Sequence, residues 1–297
     1  MKIISRNLAF IAVAMLTLFI GTAAISVFGQ GDTKLKNKAE HKVKDRGFCT
    51  NNNWTTDDHV SFNELRETTI PASGSVTVDG RQNGGIHVIG EERSDVLVRS
   101  CIQTWAKTDE EAKSLASSIK IETGGTIKAD DASETNHWSV SYEVHVPRST
   151  NLDLTAHNGG IAISGVDGNA EFETMNGGLS LNNVAGNFKG RTTNGGVNVS
   201  LSGGSWKGSG LDVTTTNGGV NLTLPTSYAA HVETGTVNGG FSSDIPSLNV
   251  TTEDVRGDRS GHYRNRRVET NLNGGGPTIR VITTNGGVRI NSGEIKE

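Results

Sequence analysis

From Pro147 onward, apolar and polar residues alternate in short runs on either side of one recurring tripeptide. Leu152 and Leu154 precede Asn158-Gly159-Gly160, and Ile161 and Ile163 follow it. Leu211 and Val213 precede Asn217-Gly218-Gly219, and Val220, Leu222 and Leu224 follow. A period of two puts alternate side chains on one face of a strand, so each unit predicts two strands joined at the tripeptide. Asn-Gly-Gly recurs at Asn83, Asn158, Asn176, Asn194, Asn217, Asn238 and Asn285, each time followed by Ile, Leu, Val or Phe. Asparagine and glycine accept the positive φ of a tight turn. The expected turn residues are Asn83; Asn158, Gly159 and Gly160; Asn176, Gly177 and Gly178; Asn194, Gly195 and Gly196; Asn217, Gly218 and Gly219; Asn238, Gly239 and Gly240; and Asn285, Gly286 and Gly287.

A fixed turn at intervals means stacked units, each burying its apolar face on the next. Asn158, Asn176 and Asn194 are spaced by 18 residues, which two strands of about six residues and two turns would fill. Later intervals are longer, and one of 35 residues separates Asn238 from the imperfect Asn273, so outer turns vary in length. The expected fold is all-β, a β-helix or β-solenoid. A barrel or sandwich is the structural alternative, but neither predicts identical recurring turns. In such a stack, an asparagine at the same corner of every unit hydrogen-bonds to those above and below it.

Upstream, β-patterned runs occupy 75–79, 86–89, 96–105, 119–127 and 139–146, the last alternating through Val140, Tyr142, Val144 and Val146. One short helix near residues 109–119 interrupts them. Thr108 and Glu111 read as a capping box, and Ala112, Leu115, Ala116 and Ile119 make an apolar stripe.

Glycine is 38 of 297 residues without a three-residue period, which excludes collagen. Aromatics at 5% suit narrow coils filled by branched side chains rather than a bulky core. A net charge of −4 argues against general affinity for nucleic acid.

Residues 1–29 read as a signal peptide: Lys2 and Arg6 precede an uncharged apolar run from Leu8 to Phe28, with small residues before Gln30. The run is also long enough for an uncleaved N-terminal anchor. Residues 30–66 read as a polar basic tether, and 67–297 as the β-solenoid domain. Export places the chain in the periplasm, at the cell surface or in the medium, where Cys49 and Cys101, the two cysteines of the chain, most simply form a disulfide.

Candidate chemistry is sparse. Thr192, Thr193, Thr214, Thr215, Thr216, Thr283 and Thr284 read as an outward hydroxyl-rich strip suited to glycans or ordered water, although threonine is also an ordinary strand residue. Arg256, Arg259, Arg264, Arg266 and Arg267 make a basic segment that would contact an anionic polymer, a lipid headgroup or a surface protein, or be a solvated loop. Its Arg256-Gly257-Asp258 matches an integrin-binding tripeptide that arises easily by chance. No metalloprotease, nucleophile-elbow, phosphate-loop or zinc-cysteine motif occurs, and neither a metal nor a cofactor is expected. Paired carboxylates at Glu171 and Glu173, or at Asp130 and Asp131, leave a polysaccharide hydrolase or lyase as the enzymatic rival.

The run Val146 to Gly160, the run Ile161 to Gly168, the later Asn-Gly-Gly units and the acidic helix Thr108 to Leu115 together resemble the putative-adhesin family of bacterial envelopes, extracytoplasmic β-strand-repeat proteins of unknown function. The resemblance covers about residues 67–297. It implies a β-solenoid exposed outside the inner membrane and brings no catalytic residues. The expected function is non-enzymatic cell-envelope adhesion, or binding to an envelope glycan, anionic polymer or surface protein. The alternative is a structural scaffold without a free ligand.

Overall fold

The computed structural model describes residues 47–49, 58–130, 137–248, 251–254 and 264–293, with the backbone alone for 251–254 and 264–266. The expected leader, most of the tether, and Asp131, Arg256 and Arg259 lie outside the described residues.

The chain is nearly all β. Strands β1 (Val60–Pro71), β2 (Ser75–Asp79), β3 (Ile86–Glu91) and β4 (Asp95–Ala106) precede helix α1 (Asp109–Ser118), and β5 (Lys120–Glu122), β6 (Thr126–Asp130) and β7 (Trp138–Pro147) follow it. Strands then come in pairs, one before and one after each Asn-Gly-Gly: β8 (Asn151–Ala156) and β9 (Ile161–Ser164), β10 (Asp167–Thr174) and β11 (Leu179–Asn182), β12 (Ala185–Asn194) and β13 (Val197–Ser200), β14 (Gly210–Asn217) and β15 (Val220–Leu224), β16 (Ala230–Asn238) and β17 (Phe241–Ser243). Between that pair and the last, β20 (Thr278–Asn285) and β21 (Val288–Ser292), come β18 (Thr251–Asp254) and β19 (Arg264–Leu272). β1 takes in Val60 to Arg66, which composition had assigned to the tether; pairing with β4 along its whole length supplies the order that its charged sequence does not.

Two large sheets result, and neither closes into a barrel. The first has ten strands in the order β1-β4-β7-β3-β9-β11-β13-β15-β21-β17. The second has eleven, β18-β19-β16-β20-β14-β12-β10-β8-β2-β6-β5. From β8 to β17 consecutive strands alternate between the sheets, and equivalent strands pair in parallel. Period-two patterning then aims one set of side chains between the sheets: Leu152, Leu154, Phe172, Phe188, Val213 and Ile279 from the second, Ile161, Leu179, Val197, Val220 and Val288 from the first. Stack order departs from chain order at both ends: β8 and β9 stack on β2 and β3, with β6 and β7 on the far side. β20 and β21 insert between the β14/β15 pair and the β16/β17 pair. Val281 and Ile290 therefore lie inside the sheets and not at an exposed edge.

Antiparallel strands flank the parallel stacks. β4 and β1 extend the first sheet, and α1 contacts both. Thr108 caps α1 by accepting from the Glu111 amide at 3.2 Å. The last turn of α1 carries no basic residue, and Arg66 of β1 supplies one, donating to the Ile119 and Ala116 carbonyls at 2.6 and 2.8 Å. The Cys49–Cys101 disulfide, with a Cα–Cα distance of 5.3 Å, ties the segment ahead of β1 to β4.

The turn chemistry differs from expectation. No residue of the seven regular Asn-Gly-Gly units has positive φ; among the described residues that conformation belongs to other glycines, to Arg81 and Asn183, and to the imperfect copy Asn273-Gly274-Gly275. Close approach is what requires the first glycine. A Cβ on Gly159, Gly177, Gly195, Gly218 or Gly286 would fall on the carbonyl oxygen of the first glycine of the adjoining unit, Gly84, Gly159, Gly177, Gly195 and Gly218 respectively. The second glycine is less confined, with a Cβ on Gly178 lying 3.2 Å from the Gly196 oxygen.

Candidate functional site

The corner residues form two hydrogen-bond ladders. Asn158 Nδ2 donates to Asn83 Oδ1, and in stack order Asn176, Asn194, Asn217, Asn285 and Asn238 each donate to the Oδ1 of the asparagine before, all at 2.8–2.9 Å. Asn273 stands apart, with its amide bonded to the Thr226 and Tyr228 carbonyls. Inside the corner, the hydroxyls of Thr174, Thr192, Thr215 and Thr283 donate at 2.7–2.8 Å to the carbonyls of Gly159, Gly177, Gly195 and Gly218. These are the carbonyls that leave no room for a Cβ. The expected outward threonine strip is therefore split: Thr192, Thr215 and Thr283 are buried, because they share the parity of the core residues, whereas Thr193, Thr216 and Thr284 are exposed.

With its corners committed to structure, the chain varies its chemistry on the outer faces. On the second sheet, Asp153, Glu171, Lys189, Asp212, Arg280, Glu233 and Glu269 stand opposite one another in register across seven strands. Beside this row runs another, Thr155, Glu173, Arg191 and Thr214. The first row from Asp153 to Arg280 and the whole of the second line a shallow groove of about 540 Å³ with Phe172 and Gly190 at its floor. Gly190 is small because the Phe172 ring fills the place of its Cβ. The groove carries both signs of charge: Arg191 Nη2 lies 2.7 Å from Glu173 Oε2, and Arg280 Nη1 lies 2.5 Å from Asp212 Oδ1.

Glu171 and Glu173 lie on one face, both exposed. Glu173 is held by Arg191, and Glu171 faces Lys189 across the strand pair, the arrangement of a solvated ion-paired surface. Asp130 binds Arg81, whose guanidinium holds its carboxyl below the usual range. Arg264 and Arg266 fall within β19, and Arg267 extends toward Glu233 and Glu269 at 3.5 and 3.8 Å, so it belongs to the sheet and not to a free loop.

A second concavity of about 710 Å³ lies where residues 201–207 lengthen the turn from β13 to β14. Arg148, Asp167, Asn183 and Lys207 reach its rim. Trp206 and Tyr228 are buried at its base, Trp206 stacking edge-on against Phe188, and burial pushes the Tyr228 hydroxyl up to about 12.

Sequence reasoning missed one cluster. His231, Glu233 and Glu269 converge on the outer face of β16 and β19. The only signal was the period-two spacing of His231 and Glu233, since Glu269 is brought in by the antiparallel pairing.

No family model matches the chain, and no curated protein does. Similar solved structures exist. One, described as a putative cell adhesion protein from Clostridium sporogenes, is 11% identical over 77% of this chain and 100% of its own, with a TM-score of 0.39. A putative adhesin from Bacteroides fragilis is 10% identical over 78% and 97%, with a TM-score of 0.27. A putative lipid binding protein from Parabacteroides distasonis is 12% identical over 77% and 96%, with a TM-score of 0.29.

Proposed function

We propose that the chain is a non-enzymatic, extracytoplasmic β-solenoid that binds an envelope polymer, a glycan with charged and hydroxyl groups, along the outer face of its second sheet. The observation that carries this reading is the pair of in-register rows lining the groove. They repeat at the spacing of neighbouring strands, about 4.8 Å, and so offer a polymer evenly spaced charged and hydroxyl contacts along its length. The solenoid reading is supported by the alternation of strands between two sheets and by the single direction of the asparagine ladder. Export is supported by the disulfide, which persists in oxidising compartments. In this reading residues 1–29 direct export, the stretch from 30 to the disulfide at Cys49 holds the domain away from the membrane, and Arg256, Arg259, Arg264 and Arg266 add affinity for anionic partners.

The test is binding of oxidised protein, residues 30–297, to isolated envelope fractions and a glycan panel across salt concentrations. Saturable binding that weakens at least tenfold in Lys189→Ala/Arg191→Ala supports the reading. Binding that the double substitution leaves unchanged places the contact elsewhere, and glycan turnover by catalytic amounts of protein overturns the non-enzymatic assignment.

A further inference from the structure

The row of charges on the second sheet ends in an arrangement that ion pairing does not complete. Glu233 of β16 and Glu269 of β19 are direct antiparallel partners, and like charges in that position repel. Arg267 approaches the Oε2 atom of each, at 3.5 and 3.8 Å, and Arg280 approaches Glu233 Oε2 at 3.7 Å. The guanidinium groups thus turn the Oε2 atoms one way and the Oε1 atoms the other. Each Oε1 lies 3.6 Å from His231 Nε2, too far for a hydrogen bond. The other ring nitrogen, Nδ1, donates to Asn271 Oδ1 at 2.8 Å, which makes Nε2 the ring nitrogen open to a metal. Nε2 and the two Oε1 atoms are thus three potential ligand atoms facing one another, all within 4.8 Å.

We propose that His231, Glu233 and Glu269 bind a divalent first-row transition metal, of which zinc is the type. Bonds of about 2.1 Å in a tetrahedral site put neighbouring ligand atoms about 3.4 Å apart, close to the 3.6 Å from Nε2 to each carboxylate oxygen. One imidazole and two carboxylates suit zinc better than calcium or magnesium, which prefer oxygen alone. Asn271 fixes the tautomer and ring orientation, while Arg267 and Arg280 orient the carboxylates, as outer-shell groups do in metal sites. Water completes the coordination. The ion clamps β19 to β16, where the parallel stack gives way to its antiparallel edge. This site is independent of the polymer-binding reading and stands or falls without it.

The test is calorimetric titration of the untagged, oxidised, chelator-treated full chain with Zn²⁺ at pH 7.5, with Co²⁺ absorption as a second readout. The wild type is expected to take up one equivalent and to give the visible band of a four-coordinate cobalt site. His231→Gln and, separately, Glu269→Gln are each expected to weaken that equivalent at least tenfold, with circular dichroism confirming the fold. Glu269 is exposed, so its substitution keeps the test decisive if His231→Gln disturbs folding. Absence of zinc binding by the wild type, or equal binding by wild type and Glu269→Gln, overturns the proposal. Histidines elsewhere in the chain are controlled by the same comparison.

Discussion

Gly177 has an α-carbon whose only free direction points at the Gly159 carbonyl, and that carbonyl already accepts the Thr174 hydroxyl. The corner therefore excludes a methyl group for steric reasons, and the adjoining glycine does not share the constraint. Gly177→Ala is expected to lower unfolding stability by about 1–3 kcal/mol, the usual effect of overpacking. Gly178→Ala, whose Cβ would sit 3.2 Å from the Gly196 oxygen, is expected to cost clearly less. Denaturant unfolding of the two variants side by side measures the difference. At this scale the sequence was half legible. The tripeptide marked the corner, but glycine's two uses, positive φ and close approach, look identical in one dimension. The inward turn of Thr192 was legible from its parity with Phe188 and Gly190, four and two residues before it on the same strand. Threonine's polar label obscured that.

Individual strands were easier to read than their partners. Alternation located β8 to β15 and their buried faces, because each hydrophobic run is local. The outer-face networks were not legible, because they join residues from several strands. One spans β4, β7 and β3, where Glu143 meets Arg99, lies 3.3 Å from His145 Nε2, and stands 3.9 Å from His87 Nδ1. Burial lowers the His87 pKa; the Glu143 charge opposes that and His145 adds to it, with the net shift downward. A histidine with a depressed folded pKa takes up its proton first in the unfolded chain, so stability falls as pH drops through about 6.5 and is recovered above it. Unfolding midpoints measured from pH 7.5 to 5.5 are expected to decline in the wild type, and His87→Gln is expected to flatten part of that decline.

The whole molecule adds a feature that no local pattern contains. Near-identical units carry no label for their place in the stack, and the last pair in the chain takes the penultimate place. β16 pairs with β20 on one side and β19 on the other, and β14 pairs with β12 and β20, so removing residues 278–297 leaves β16 without its parallel partner and opens one edge of β14. Unpaired parallel edges recruit other chains. The truncated protein is expected to elute as larger species than the full chain in size-exclusion chromatography and to bind thioflavin T, whereas a truncation from residue 294 is expected to elute with the full chain. β20 and β21 can close the gap only after the strands on both sides of it have been made, so that end of the stack stays incomplete until they arrive.

The asparagine ladder has a chemical consequence beyond packing. Asn-Gly is the dipeptide most prone to ageing in an extended chain, because the glycine nitrogen attacks the side-chain carbonyl and expels ammonia to close a five-membered imide, which water then opens to aspartate or isoaspartate. Here the attacking nitrogens of Gly195, Gly218 and Gly286 are engaged with the carbonyls of Asn217, Asn285 and Asn238. The amides themselves are tied to one another along the corner. Folding thus converts the most perishable step in the sequence into a protected one, and each asparagine that survives records that its unit has stayed closed.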